Sequence, residues 1–142
     1  MKHYVLGFCF HDNGRDVVMV RKAKPAWMRG KLNGVGGQIE GGELASEAMA
    51  REFREETGAV TDPLDWRWFV GLTGPDWAVE CFTMKNWRAF YKASTPPGSV
   101  EPVQIVDVDT LTRNRDLLPN TRWLIPMAWQ ALEDPITYAV RR

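Results

Sequence analysis

The sequence predicts an α/β fold in which a mixed β-sheet is sandwiched by helices. Short stretches rich in valine, phenylalanine and tryptophan recur along the chain, as half-buried β-strands require. A longer stretch in the first half of the chain carries apolar residues three and four positions apart, which is the spacing of an amphipathic helix. A second helix is predicted near the end of the chain. Hairpin turns join some strands and helices separate others, and this order predicts one sheet covered by helices.

The predicted strands begin with a hairpin. Residues 4–10 and 17–21 flank a turn that contains Asn13-Gly14, a pair typical of tight hairpin turns. A short strand over residues 32–37 leads into the first helix. Further strands are predicted over residues 66–71, 77–84, 87–93 and 103–108, with a tight turn at Lys85-Asn86 and connections over residues 94–101 and 111–120.

Two helices are predicted, one in the first half of the chain and one near its end. Residues 46–57 are rich in alanine, glutamate and arginine, and Gly58 follows where a left-handed C-terminal residue is favoured. The second helix covers much of residues 123–133. It contains Pro126, which we expect either in the first turn or at a kink.

Length and composition limit the classes of protein. The chain has 142 residues, and we expect a single domain over residues 1–142. Its 18 basic and 18 acidic residues cancel, which argues against a surface for nucleic acid polymers. Cys9 and Cys81 lie in apolar stretches, and we expect reduced core cysteines of a cytoplasmic protein. No signal peptide or membrane-spanning stretch is recognisable.

Three glutamates give the first helix an acidic face. Glu52, Glu55 and Glu56 lie three and four positions apart, so their like charges repel one another. A divalent cation would relieve that repulsion, and oxygen ligands without histidine or cysteine favour Mg²⁺ or Mn²⁺ over zinc. A solvated acidic face is the alternative. Glycines that allow close backbone approach to a ligand favour the cation site; they are Gly34, Gly36, Gly37, Gly41 and Gly42.

Residues 37–59 resemble the Nudix box, the signature of the Nudix hydrolase family. The matching positions are Gly37, Glu43, Arg51, Glu52, Phe53, Glu55, Glu56 and Gly58. Ala59 departs from the pattern, because a larger aliphatic residue is usual there. The resemblance implies an α/β/α sandwich with a mixed sheet, and Mg²⁺-assisted hydrolysis of a nucleoside diphosphate that is linked to another group.

The resemblance also implies roles for individual residues. Glu52, Glu55 and Glu56, called the box glutamates below, would bind the metal, together with a backbone carbonyl at Gly36 or Gly37. Glu43 and Arg51 would form an internal ion pair.

The general base is left open between a box glutamate and Glu101, which follows the loop Pro96-Pro97-Gly98. A solvated loop acid is the alternative interpretation of Glu101, and Glu80 is a weaker candidate.

The candidate substrate contacts lie outside the box. Arg21 and Lys22 open a basic stretch that is either a solvated loop or a source of cations for phosphate oxygens. The surroundings of Asn33 and Asn120 look like those of MutT-type enzymes, in which side chains at such positions read an oxidised purine. Asn33 is alternatively a turn residue, and Asn120 a helix N-cap. Trp27 or Trp123 could stack on the base.

We therefore expect Mg²⁺-dependent hydrolysis of a nucleoside triphosphate to a monophosphate and pyrophosphate, with an oxidised purine nucleotide as a candidate substrate. The expected partner is a small nucleotide, and the protein a monomer or a homodimer. Hydrolysis of ADP-ribose or a dinucleoside polyphosphate is one alternative, although the chain starts directly at the first catalytic-domain strand, which tilts against ADP-ribose. The other alternative is a non-catalytic module that senses nucleotides, and the intact set of box glutamates argues against it.

Overall fold

The computed structural model describes residues 1–134 and 138–139, and it confirms the α/β fold. The strands are β1 (Lys2–Phe10), β2 (Asp16–Arg21), β3 (Leu32–Asn33), β4 (Val35–Gln38), β5 (Arg67–Thr73), β6 (Trp77–Lys85), β7 (Val103–Asp107) and β8 (Tyr138–Ala139). The helices are α1 (Ala45–Thr57), α2 (Trp87–Lys92) and α3 (Thr121–Glu133). Short 3-10 turns lie at Ala26–Met28, Pro63–Asp65 and Val108–Arg113.

The strands form one mixed sheet. Its order is β3-β2-β1-β6-β5-β8, with β4 paired to β1 and β7 paired to β2. The neighbours β1 and β6 run parallel, whereas β1 and β2 form the expected antiparallel hairpin, with Phe10 opposite Val17. Gly14 in its turn has a φ of 71°, which glycine adopts at little cost.

Alternating side chains of β1 define the two faces of the sheet. Val5 and Cys9 belong to the core beneath α1 and α2. Phe8 belongs to the core beneath α3, as does Cys81 of β6. Helices therefore cover both faces, as in an α/β/α sandwich. Because the two cysteines lie on opposite faces, they cannot form a disulfide, and both are buried free thiols, as predicted.

The strand predicted over residues 87–93 is wrong, because these residues form α2. Asn86 caps this helix, since its side-chain oxygen accepts hydrogen bonds from the backbone N–H groups of Arg88 and Ala89, each at 3.1 Å. Ala89 and Phe90 bury one side of α2 against the sheet. The cap and this burial outweigh the strand preference of an aromatic-rich segment.

Two further boundaries differ from the prediction. Residues 32–37 do not form one strand, because β3 pairs with β2 while β4 pairs with β1. Pro126 lies inside α3 and beyond its first turn. None of the helices in the described residues is long and apolar enough to cross a membrane.

Candidate active site

Helix α1 carries the box glutamates along the edge of its buried side. Met49 and Phe53 are fully buried against the sheet, which fixes the rotation of the helix. Gly58 ends the helix with a φ of 77° in the left-handed region, as predicted. At the other end, the side chain of Glu47 accepts a hydrogen bond from the backbone N–H of Leu44 at 2.9 Å. The positions of the glutamates follow from this packing and these two ends.

Two glycines of β4 bring the sheet backbone against the acidic face of α1. A Cβ atom at Gly36 would lie 2.0 Å from the carbonyl oxygen of Val5, so no side chain fits there. A Cβ atom at Gly37 would lie 2.4 Å from the carboxylate carbon of Glu52. Glu56 Oε2 accepts a long hydrogen bond of 3.4 Å from the N–H of Gly36. Glycine at position 37 therefore leaves the space that the Glu52 carboxylate occupies, and glycine at position 36 allows β4 to lie close to Val5 of β1.

Arg51 joins the acidic residues of the box into one network, which we call the Arg51 cluster (Arg51, Glu43, Glu52 and Glu55). Its Nε and Nη2 atoms donate to Glu43 at 2.7 and 3.0 Å, which is the predicted internal ion pair. Its Nη1 atom donates to Glu52 at 2.9 Å and to Glu55 at 3.1 Å. Nη2 also donates to the carbonyl of Gln38 at 3.0 Å. The guanidinium thus links Glu43, which precedes α1, to α1 itself and to Gln38 at the end of β4.

Burial and the contacts of Arg51 shift the pKa values of these carboxyl groups in different directions. Hydrogen bonds from Arg51 lower the pKa of Glu43. Burial raises the pKa of Glu52, although Arg51 opposes that shift. Burial raises the pKa of Glu56 to about 7; Lys22 opposes the rise, and the charges of Glu52 and Glu101 add to it. Two of the three box glutamates are therefore held where ionisation is costly.

This donor set fits a hard divalent cation. Carboxylate oxygens are the ligands that Mg²⁺ and Mn²⁺ prefer, and a bound positive charge would offset the cost of ionising Glu52 and Glu56. Within the described part of the chain, no three histidine, cysteine, aspartate or glutamate side chains converge closely enough to enclose an ion in this conformation. The Nη1 atom of Arg51 lies between Glu52 and Glu55 and donates to both.

Glu101 is not a solvated loop acid, which corrects one interpretation of the sequence. Its side chain is 14% exposed and that of Lys22 is 15% exposed, and the two form an ion pair at 3.1 Å. Its other oxygen, Oε2, accepts hydrogen bonds from the backbone N–H groups of Ala23 and Lys24 at 2.8 and 3.2 Å. The charges of both Glu101 and Lys22 act on the pKa of Glu56, which Lys22 lowers and Glu101 raises.

Two other predicted residues have their side chains engaged. Arg21 donates to Gln104 at 3.1 Å, and to the carbonyl of Gly30 and the carboxylate of Asp116 at 2.8 and 3.0 Å. A groove of about 480 Å³ beside Arg21 is lined by none of the box glutamates. Asn33 lies in β3 opposite Val20, so it is not a turn residue, and its Oδ1 accepts a hydrogen bond of 2.9 Å from the N–H of Gly34.

Glu80 accepts a hydrogen bond from the indole N–H of Trp68, on the paired strands β5 and β6. Its charge is not among those that act on Glu56. The structure therefore gives no support to the weaker candidate for the general base.

The candidate base-stacking residues are accessible. Trp27 lies on the 3-10 turn Ala26–Met28 and is 70% exposed, and Trp123 near the start of α3 is 45% exposed. Asn120 occupies the N-cap position of α3, but its side chain makes no capping hydrogen bond there. Its amide is therefore not used by the helix, in contrast to the expectation for a simple N-cap.

Some contacts of the site could not be predicted from the motif alone. The spacing of Arg51 and Glu55 is that of neighbouring side chains on a helix, and this signal was available in the sequence. No comparable signal joins Lys22 to Glu101, which are 79 positions apart. The backbone donors of Ala23 and Lys24 carry no side-chain signature at all.

Solved structures of similar fold come from several bacteria. A MutT structure from a comparison of the Aliivibrio salmonicida and Vibrio cholerae proteins has a TM-score of 0.68 and 20% identity, covering 91% of this chain and 97% of that chain. A NUDIX family hydrolase from Clostridium perfringens has a TM-score of 0.66 and 17% identity, covering 92% and 97%. The MutT protein from Bacillus halodurans has a TM-score of 0.67 and 17% identity, covering 89% and 80%.

The family follows from the sequence itself. The model of the NUDIX domain matches residues 1–126, which is most of the 142-residue chain and includes the whole box. The similar structures agree with that match in fold. The chain therefore belongs to the NUDIX family and is a Nudix hydrolase.

Proposed function

We propose that the protein hydrolyses nucleoside triphosphates to a nucleoside monophosphate and pyrophosphate, with Mg²⁺ as its metal. The observation that carries the proposal is the pair of partly buried carboxylates, Glu52 and Glu56, which lie against the glycines of β4. A polyphosphate needs such a site, because it repels carboxylates unless cations lie between them. Lys22 supplies one such cation beside Glu56.

The reaction requires water to attack a phosphorus atom while the bridging oxygen leaves with the departing phosphate group. Bound Mg²⁺ would acidify the water and neutralise the leaving oxygen. The box glutamates would hold the cation, and we place the acceptor of the water's proton among them. The geometry of Glu101 supports this choice, because both of its oxygens already accept hydrogen bonds from Lys22, Ala23 and Lys24.

Oxidised purines are the nucleotides we propose as substrates. Exposed Trp27 and Trp123 offer indole faces for stacking on a base. Asn120 offers an amide that can donate and accept in one plane, as a purine edge requires. Asn33 retains its amide N–H donors, because only its oxygen is used by Gly34.

A substrate panel tests this proposal. The protein is incubated with Mg²⁺ and deoxynucleoside triphosphates, their oxidised purine forms, ADP-ribose and a dinucleoside polyphosphate, and the products are identified. Pyrophosphate release from triphosphates, fastest with an oxidised purine, is the expected result. Release of AMP and ribose phosphate from ADP-ribose supports the first alternative instead, and binding without turnover supports a nucleotide sensor.

Substitution of the box glutamates tests the site. Glu55→Gln and Glu56→Gln should each lower turnover by at least about a hundredfold, the scale of losing metal or proton-transfer assistance. Circular dichroism should show that the fold is intact. Glu133→Gln is the matched control, because Glu133 is exposed at the end of α3. Near-normal turnover in both box variants contradicts the site.

A further inference from the structure

The carboxylate of Glu101 makes every one of its hydrogen bonds with one short segment. Oε1 accepts from the ammonium group of Lys22 at 3.1 Å, and Oε2 accepts from the backbone N–H groups of Ala23 and Lys24 at 2.8 and 3.2 Å. Backbone donors cannot move independently of the chain. Glu101 is therefore bonded to the path of the chain at residues 22–24, as well as to a side chain.

Glu101 is itself fixed to the sheet. The backbone N–H of Glu101 donates to Ser99 Oγ at 3.1 Å, and the carbonyl of the next residue, Pro102, accepts from the N–H of Arg21 at 2.9 Å. Strand β7 begins immediately afterwards, with Val103 opposite Val20 of β2. The carboxylate is thus attached to a rigid part of the molecule.

The segment that it holds opens the basic loop, defined here as residues 22–31. The ends of this loop are joined, because Lys22 N donates to the carbonyl of Lys31 and Gly30 N donates to the carbonyl of Lys22, each at 2.8 Å. Between these ends lie exposed Trp27 and the cation Arg29, whose Nε donates a hydrogen bond of 3.4 Å to the carbonyl of Ala23. The hydrogen bonds made by the backbone of residues 23 and 24 therefore help to set the direction in which the basic loop leaves the sheet.

We propose that Glu101 is a positioning residue that fixes the basic loop relative to β7, so that Lys22 and Trp27 are presented to the substrate in one arrangement. This inference rests on the proposed function for its substrate, and it assigns Glu101 a different role from the general base. Lys22 belongs to the loop and pairs with Glu101 at 3.1 Å, so a displaced loop also displaces this cation. The loop that holds Trp27 moves with it.

Amide hydrogen exchange tests the proposal without any substrate. In Glu101→Ala, the amides of Ala23 and Lys24 lose their acceptor and should exchange at least about tenfold faster, the scale of a lost hydrogen bond to a charged group. Glu101→Gln should keep part of the protection, because its amide oxygen still accepts. Asp109→Asn is the control, since Asp109 pairs with Arg15 at 3.0 Å but is 65% exposed. Unchanged exchange in both Glu101 variants overturns the proposal.

Steady-state kinetics then distinguish a positioning role of Glu101 from a role as the general base. A positioning role predicts that Glu101→Ala raises KM for the nucleotide by about tenfold while kcat falls less, with Glu101→Gln closer to the wild type. A general base predicts a loss of kcat of about a hundredfold or more in Glu101→Gln at unchanged KM, and that result overturns the proposal. If Glu101→Ala does not fold, exchange and kinetics of Glu101→Gln decide. A protein that hydrolyses nothing refutes the proposed function alone, because the exchange result stands without it.

Discussion

Two cationic side chains, those of Arg51 and Lys22, interact with acidic residues of the candidate active site in different ways. Arg51 donates to three glutamates and to the carbonyl of Gln38 from a single planar group. Lys22 donates one side-chain hydrogen bond, to Glu101, and acts on Glu56 through its charge. The Arg51 cluster lies within the box, whereas the pair of Lys22 and Glu101 joins two loops from distant parts of the chain.

The difference follows from the chemistry of the two side chains. A guanidinium has five donors in a fixed plane, so it can hold several carboxylates in one geometry. An ammonium group is a compact charge on a flexible stem, and it can exchange one oxygen partner for another at small cost. We infer that Arg51 maintains the shape of the box, and that Lys22, which donates to Glu101, has further N–H donors for an incoming phosphate.

Removal of Arg51 should have the largest effect. Arg51→Met leaves Glu43 and Glu52 without their cation, and both side chains are mostly buried. We expect the free energy of unfolding to fall by about 3 kcal/mol, measured by urea denaturation, and hydrolysis to fall at least about a hundredfold. Arg51→Lys should recover only part of either loss, because an ammonium group cannot donate to Glu43 and to Glu52 in the same geometry.

A matched control for this experiment is Arg122→Met. Arg122 is exposed and donates one hydrogen bond, to the carbonyl of Asn114 at 3.1 Å. Its loss should change the unfolding free energy by less than about 1 kcal/mol. Equal stability of Arg51→Met and Arg122→Met would show that the Arg51 cluster does not maintain the box.

A methyl group at Gly37 should have an intermediate effect. Gly37→Ala places a Cβ atom 2.4 Å from the carboxylate carbon of Glu52, which is the end of a flexible side chain and can move away. We therefore expect the fold to survive and pyrophosphate release to fall about tenfold or more. Gly41→Ala is the control, because nothing lies within 4 Å of a Cβ atom there. Similar rates for the two variants would contradict the close packing of Glu52 on β4.

The smallest effect should be a pH dependence contributed by the pair of Lys22 and Glu101. Burial acts to raise the pKa of Glu101, but hydrogen bonds from Ala23 and Lys22 outweigh it and the pKa is lowered from 4.5. A carboxyl group of this kind stabilises the fold above its unfolded-state pKa and loses that contribution as pH falls through its folded-state pKa. The unfolding free energies of wild type and Glu101→Gln should differ near about pH 7 and converge below pH 4.5. A difference that is constant with pH would contradict the lowered pKa.

The elements that the sequence predicted well are those with local signals. The helix of the box was placed to within one residue, because its composition, its apolar spacing and Gly58 all agree. The segment over residues 87–93 has a conflicting signal, since its aromatic residues favour a strand. The cap by Asn86 and the burial of Phe90 decide for a helix, and burial depends on the rest of the fold.

Within the site, too, contacts between residues close in sequence were predicted and contacts between distant residues were not. The ion pair of Glu43 and Arg51 is internal to the motif and was predicted with it. The contacts of Glu101 join residues far apart in the chain, so their prediction requires the pairing of β7 with β2. Strands β2 and β7 are far apart in the chain, and the hydrophobic pattern of a strand does not tell which distant strand lies beside it.

The thiols of Cys9 and Cys81 are both buried by the sheet and its helices. Burial raises the pKa of the Cys9 thiol to about 12, and it is also the main reason that the pKa of Cys81 is about 12. Peroxides attack the thiolate, and at neutral pH almost none is present on either side chain. Burial therefore protects both cysteine sulfur atoms from peroxides at neutral pH.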